Sequence, residues 1–528
     1  MKLTLVLVLC IVFAGSNAAA RQASKLPAPD KIVGDYVKAL GGKKRVTAVR
    51  DATYEWTYKR GDNGESGTAR TRTKAPASAR TDVFTPAGEI GAAANGRSAW
   101  ARGTDGHLLT LTDSAALSAK LHAMIDATRL VEYKKQGVLA RTAGLENIYG
   151  QPSVVVEFSS RAGARLRYWF NTETKLLVRM TDDARGLTVR YENWQPRAGS
   201  PLRLEPHRLL FEERRVWQIM LTLTEARYNE GLSDVLFDPP GDASLDIPAL
   251  LRDLERNQIE VDRRINEYTF TRKVTERELN DRGELKKEKV NVYEVYPFLG
   301  AGWIQKHLSE NGVPLSAEQA AKEEKRVAEQ MLRAERNQPL FEASLAKARA
   351  RREAEQKKGV EEKHDGDDVS IKTFLRACEL ISPRRERFRE RDTIVFDFRP
   401  RPGFRPKSRG ETIVSKLAGI IWIDPAEKQV MRLEARLVEG FRMGGGLVAS
   451  IKPGAAFAFE QTRLADGVWL PRFSQVNASA RVFLFAGMTI NETNEFSDYK
   501  RFSTKAGEDK LDAPKQEKPE EPKEPKEP

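Results

Sequence analysis

Tyr168-Trp169-Phe170-Asn171-Thr172-Glu173-Thr174-Lys175-Leu176-Leu177-Val178-Arg179-Met180 aligns without a gap on Ile421-Trp422-Ile423-Asp424-Pro425-Ala426-Glu427-Lys428-Gln429-Val430-Met431-Arg432-Leu433. Each stretch reads as an apolar strand, an Asn or Asp turn, a Lys, a second apolar strand and an Arg. Asn171 and Asp424 fall at the same place, where an Asx side chain bonds to the backbone just ahead of it and fixes a tight turn. One hairpin used twice predicts one architecture used twice.

Working outward, the order of elements repeats as well. Asp30 to Leu40 carries Ile32, Val33, Tyr36 and Leu40 on one helical face, with Pro29 before it and Gly41-Gly42 after it. Period-two segments follow, and Tyr54, Trp56 and Tyr58 share one strand face. Thr112 or Asp113 is placed to cap a helix running to about Arg129, and a long strand region then reaches Tyr228. The second round begins with a helix over about 249–265. Strands follow near 268–278 and 286–296, and Ser316 with Gln319 makes a capping box. The charged helix that box opens should kink or break at Pro339. Strands return from Asp392 onward. The reading is an α+β chain of two tandem curved antiparallel sheets, each covered by helices. The first unit spans 21–241 and the second, larger one 242–503, with a helical insertion at 316–358.

The ends differ from this body. Residues 1–20 read as a signal peptide, with Lys2 before an apolar run from Leu3 to Ala14 and small residues at Ala18-Ala19-Ala20. Cys10 lies inside that run, so the mature chain keeps Cys378 alone and can form no internal disulfide. Residues 504–528 are Lys, Glu and Pro, too poor in apolar side chains to fold. No later stretch is apolar enough to span a bilayer. The expected compartment is outside the cytoplasm, the periplasm of a double-membraned bacterium. Across 528 residues the formal charge is +13. In an exported protein such a balance serves plain solubility first and, as counter-charges, anionic lipid headgroups, lipopolysaccharide or acidic glycans rather than nucleic acid.

The sequence announces no reaction. His107, His122, His207, His307 and His364 sit at no zinc spacing, and no nucleophile elbow, Walker loop or dinucleotide fingerprint is present. His364-Asp365-Gly366-Asp367-Asp368 reads as a solvated linker and Gly444-Gly445-Gly446 as a turn. No catalytic residue, metal site or cofactor is expected. Arg384, Arg385, Arg387, Arg389 and Arg391 read as a solvated strand edge. The proline-stiffened run holding Arg399, Arg401, Arg405, Lys407 and Arg409 is the candidate contact for an anionic membrane surface.

The segment ending Tyr36-Val37-Lys38-Ala39-Leu40-Gly41-Gly42, the repeated hairpin, Asp466-Gly467-Val468-Trp469-Leu470-Pro471 and Phe496-Ser497-Asp498-Tyr499 together resemble the outer-membrane lipoprotein-sorting family, relatives of LolA and LolB. That resemblance implies an incomplete antiparallel barrel around an apolar groove. The implied activity is non-enzymatic: holding a lipid or a lipoprotein's acylated end in the cell envelope. Tyr54, Trp56, Tyr58, Trp169 and Trp422 are the candidate groove residues. The alternative function is a scaffold with filled sheets and a protein partner, and a hydrolase of unfamiliar type ranks third.

Overall fold

In the computed structural model the described residues are 26–61, 64–213, 217–280, 285–298, 302–357, 371–443, 449–482 and 486–501. The signal-peptide reading, the charged tail, His364–Asp368 and Gly444–Gly446 fall outside them.

The chain opens with helices α1 (Pro29–Ala39) and α2 (Lys43–Ala48). Six strands follow: β1 (Asp51–Arg60), β2 (Ser66–Lys74), β3 (Ser78–Thr85), β4 (Gly88–Ala94), β5 (Ala99–Arg102) and β6 (Leu108–Thr110). Helix α3 (Asp113–Met124) crosses to β7 (Leu139–Ile148), β8 (Gln151–Ser159), β9 (Arg165–Asn171) and β10 (Leu177–Asp182). The first round ends with β11 (Leu187–Gln195), β12 (Glu205–Glu213) and β13 (Trp217–Tyr228). The second round starts at α4 (Ile247–Arg264), then β14 (Tyr268–Leu279), β15 (Leu285–Phe298), β16 (Gly302–Glu310) and β17 (Val313–Pro314). Helices α5 (Ala317–Lys357) and α6 (Ile371–Ala377) lead to β18 (Cys378–Phe388) and β19 (Arg391–Pro400). After α7 (Arg409–Val414) come β20 (Leu417–Asp424), β21 (Gln429–Leu437), β22 (Phe441–Met443) and β23 (Ala449–Ile451). Strands β24 (Ala456–Arg463), β25 (Trp469–Val482) and β26 (Ala486–Arg501) complete the chain's regular structure.

These strands form two open antiparallel sheets of one topology. The first runs β6-β5-β4-β3-β2-β1-β13-β12-β11-β10-β9-β8-β7. The second runs β17-β16-β15-β14-β26-β25-β24-β21-β20-β19-β18, with β22 and β23 beside it. In each, the first strand pairs with the last, β1 with β13 and β14 with β26, which joins an outgoing meander to a returning one. The end strands do not pair with each other, so neither sheet closes into a barrel.

The repeated hairpin is the same down to its bonds. Asn171 Oδ1 accepts from the backbone N–H groups of Glu173 and Thr174 at 2.8 and 2.9 Å. Asp424 Oδ1 accepts from those of Ala426 and Glu427, both at 2.9 Å. Lys175 and Lys428 take the left-handed conformation at φ 63° and 54°. Trp169 lies across from Arg179, and Trp422 across from Arg432. Each Arg stacks on its Trp, with the guanidinium carbon 4.9 and 5.9 Å from the ring centre.

Three sequence expectations need correction. The helix expected to reach Arg129 ends at Met124. Asp126 Oδ1 takes the N–H groups of Thr128 and Arg129 into a turn, and Arg129 Nη1 donates to the Ala123 carbonyl at 2.8 Å. Neither proposed cap serves it: Thr112 makes no side-chain cap, and the Asp113 carboxylate binds Arg432. Of the kink or break expected at Pro339, the break does not occur: α5 runs through it for 41 residues. A proline removes one helical bond, and Ala, Glu, Lys, Arg and Gln on both sides sustain the rest. The Ser316–Gln319 capping box at its start forms as expected, with bonds of 3.0 and 3.3 Å.

The third correction concerns the basic strand. Arg384 is not on a solvated edge; its side chain is only 3% exposed. Strand alternation turns Arg384 and Glu386 inward, where end strand β18 meets β6 of the first sheet. Arg384 donates to Glu386 Oε1 at 2.7 Å, Asp397 Oδ1 at 3.1 Å and Thr110 Oγ at 2.6 Å. The Thr110 N–H donates to Glu386 Oε2 at 2.7 Å, and Ser98 Oγ to Asp397 Oδ2 at 2.7 Å. Nearby, Arg432 bridges Asp113 of the first round and Glu460 of the second, at 2.7 and 2.6 Å. The two sheets are thus fastened by buried, mutually satisfied charges rather than by a shared strand ladder.

Candidate lipid-binding face

Alternation along β8, β9 and β10 divides the first sheet into two faces. Val154, Val156, Phe158, Tyr168, Phe170, Leu177 and Met180 point to the face that α1 and α3 cover, meeting Ile32, Val33, Tyr36, Val37, Leu40 and Leu121. Tyr36 is fully buried, donates its hydroxyl to the Ala127 carbonyl at 2.9 Å and meets Phe170 edge-on at 5.4 Å. Tyr168 is likewise buried, and its hydroxyl reaches the Ile125 carbonyl at 3.0 Å. Burial pushes both phenols well above their ordinary pKa. The middle of this face is therefore filled by the chain itself.

Two flanks of the same face differ. Toward β1, Tyr54, Trp56 and Tyr58 sit together with Leu209, Phe211, Leu221 and Leu223. The Trp56 indole N–H is buried and has no acceptor among the described residues. Under α1, at the β8–β9 end, lies a cavity of about 250 Å³. Ile32, Leu145, Val154 and Phe170 form its apolar wall, and Lys31, Asp35 and Lys175 stand at its rim. Lys31 donates to Asp35 at 2.9 Å and holds that carboxyl below its usual range.

Of the five aromatic candidates, Tyr54, Trp56 and Tyr58 are brought together on this helix-covered face. Trp169 and Trp422 are not: each stands on the opposite face of its own sheet. Trp169 packs with Ile148, Val155 and Val178, and Trp422 with Val395, Ile420, Met431 and Trp469. Period-two spacing makes 168 and 170 neighbours on one face and 169 their opposite; it does not say which face the helices take. The cavity wall has no signal of its own in the sequence: Ile32 has a helical period and Val154 lies in a strand run, and nothing local pairs them.

The basic run divides too. Arg399 Nε is held by Glu379 Oε2 at 2.8 Å. Arg401 donates to the carbonyls of Leu375, Arg376 and Cys378, closing the end of α6. Arg405 and Lys407 are exposed, and the Arg409 side chain lies outside the described residues. Cys378 is buried, and burial pushes its thiol up to about 12, which makes it inert.

Close to α1's partners, His122 is held down to about 4, first by burial and then by Arg185. Its Nδ1 accepts from Arg185 Nη2 at 3.2 Å. The folded pKa lies below the unfolded value of about 6.5, so the unfolded chain binds the extra proton between these limits. Stability is full above about pH 6.5 and falls as pH drops toward 4, by about 2–3 kcal/mol from this group alone. Urea midpoints at pH 7 and 4.5 check this, and His122→Gln is expected to narrow the difference between them.

Among the described residues no group of three or more His, Cys, Asp or Glu side chains is placed to hold a metal, and no helix is long and apolar enough to cross a membrane. No protein-family model and no curated protein sequence matches the chain. Comparison with solved structures does find likenesses. A LolA superfamily protein from Nitrosomonas europaea is 14% identical, matches 40% of this chain and 98% of its own, and has a TM-score of 0.29. This chain is similar to proteins of the LolA superfamily. A DUF1329 family protein from Desulfovibrio piger is also 14% identical, over 39% of this chain and 96% of its own, at a TM-score of 0.27. The MucA/MucB complex of Pseudomonas aeruginosa matches 89% of this chain and 99% of its own at 8% identity and a TM-score of 0.16. At such TM-scores these likenesses carry no inference about activity, and function has to be read from the residues of this chain.

Proposed function

We propose that the chain is a non-enzymatic binder of an acyl group, of a lipid or an acylated lipoprotein, in the cell envelope after export. The observation that carries the reading is the apolar cavity beneath α1, open at a charged rim, on the helix-covered face of an unclosed sheet. Its wall takes methylenes, each worth about 0.8 kcal/mol when buried, and its rim suits a headgroup. At about 250 Å³ it is smaller than the ~300–1,000 Å³ of a typical ligand pocket. A long chain would therefore enter by lifting α1, because the middle of the face between the cavity and Trp56 is filled by the chain's own side chains. Arg405 and Lys407 are the proposed contacts for anionic headgroups, a contact that salt should weaken.

The test is a substitution that fills the cavity. Val154→Trp is expected to reduce bound acyl mass at least ~10-fold at an overpacking cost of about 1–3 kcal/mol. Bound lipid is read by native mass spectrometry and the fold by circular dichroism. Undiminished uptake by a folded Val154→Trp protein removes the cavity from the account.

A second reading is favoured by one observation, the filling of the middle of this face by Tyr36, Phe158, Tyr168 and Phe170. It is the scaffold, a protein whose sheets are solid and whose ligand is another protein. It is preferred if the envelope-purified protein carries no lipid and takes none up.

A further inference from the structure

The second sheet repeats the topology of the first but lines the matching position with different chemistry. The face that α4 covers, opposite the one that α5 packs on at β16, is traced by cross-strand neighbours. Leu433, which packs with α4's cluster, lies across from Phe459, Phe459 from Ser474, Ser474 from Asn494 and Asn494 from Val274. On that face the first-and-last strand pair of the first sheet carries Trp56, Tyr58, Leu221 and Leu223. The corresponding pair in the second, β14 and β26, carries Arg272, Val274, Glu492 and Asn494.

The polar groups there form one connected set. Arg272 donates to Asn494 Oδ1 at 2.9 Å, to Gln305 Oε1 at 3.3 Å and to Glu492 Oε1 at 3.3 Å. Asn494 Nδ2 donates to Glu492 Oε1 at 2.9 Å. One row over, Asn291 is buried beside Val274, and its Oδ1 has no donor among the described residues. Beside this set stands an aromatic platform. Trp303 is 38% exposed and is propped edge-on by Phe270 at 5.3 Å and Phe496 at 6.3 Å, Phe496 being Arg272's cross-strand neighbour.

We propose that this face of the second sheet binds a neutral carbohydrate, one sugar ring lying on Trp303 with its hydroxyls taken by Gln305, Arg272 and Glu492. A sugar ring has an apolar face of C–H groups and a rim of hydroxyls that both donate and accept. A half-exposed flat ring beside an amide, a carboxylate and a guanidinium supplies both complements. An acyl chain would strip water from these groups and return nothing. An anion would find the charge of Arg272 already matched by Glu492. The inference does not rest on the acyl-binding reading, since it concerns the other sheet and a different ligand.

Titration calorimetry of the full chain with four tetrasaccharides, built from glucose, mannose, galactose or N-acetylglucosamine, tests it. Saturable heat with at least one is expected, weakened at least ~10-fold by Trp303→Ala and by Gln305→Ala. Both positions are partly exposed, so at least one variant should fold, as circular dichroism will report. Absence of binding to all four, or equal binding by a folded Trp303→Ala protein, overturns the proposal.

Discussion

Arg384→Met is expected to destabilise the protein by about 3–5 kcal/mol, the cost of removing one member of a buried charge set. The methionine fits the space but leaves Glu386 and Asp397 without their shared cation, and both are essentially fully buried. Thr110 loses a partner as well, so the loss is felt on both sides of the junction between the sheets. Replacing Arg384, Glu386 and Asp397 together by well-packed apolar residues should cost much less than Arg384→Met alone, because no uncompensated charge remains. Chemical denaturation of the two variants separates these outcomes. A cost below about 1 kcal/mol for Arg384→Met, the range of surface ion pairs, would mean that the sheets are not joined through this set.

Tyr36→Ala is the second large effect, about 3–5 kcal/mol by the usual cost of emptying an aromatic core site. The ring is the main anchor of α1: it is fully buried, touches Phe170 and Trp194 and bonds to Ala127. Because α1 also roofs the cavity, the same substitution should alter acyl uptake, which Val154→Trp alters by blockage instead. A thermal midpoint lowered by several degrees, with changed rather than simply abolished lipid retention, is the expected pair of results. Phe158→Ala, equally buried on the same face but absent from the cavity wall, serves as the comparison for stability alone.

The sequence made the duplication readable because the hairpin's signals are local. Asn171 and Asp424 bond to groups two and three residues away, so their role can be seen in a window of thirteen residues. The same holds for the capping box at Ser316, while at Asp126 an equally local turn stops α3 at Met124, short of the Arg129 that its apolar stripe suggests. The junction is the opposite case. Ser98 meets Asp397 across 299 positions and Thr110 meets Glu386 across 276, and no local pattern marks either pair. Arg384 looked like one of a run of surface arginines because composition cannot distinguish an inward from an outward strand position. Trp169 and Trp422 show the same limit from the apolar side. Their matching places in the repeat were evident, but the face they occupy is decided by where α1 and α4 pack. The carbohydrate face has no local signal for a related reason: Gln305 lies two strands beyond Arg272 and Glu492 lies 220 positions from it, and only the pairing of β14 with β16's neighbour β15 and with β26 gathers them.

We propose that the chain holds an acyl group on the helix-covered face of its first sheet. The most direct measurement is native mass spectrometry with lipid extraction on the mature protein purified from its own envelope. The expected result is an added mass of acyl-lipid size that delipidation removes and that is absent from the Val154→Trp protein. A clean mass for the protein alone, together with no uptake of added lipid, would contradict it and leave the scaffold as the better description.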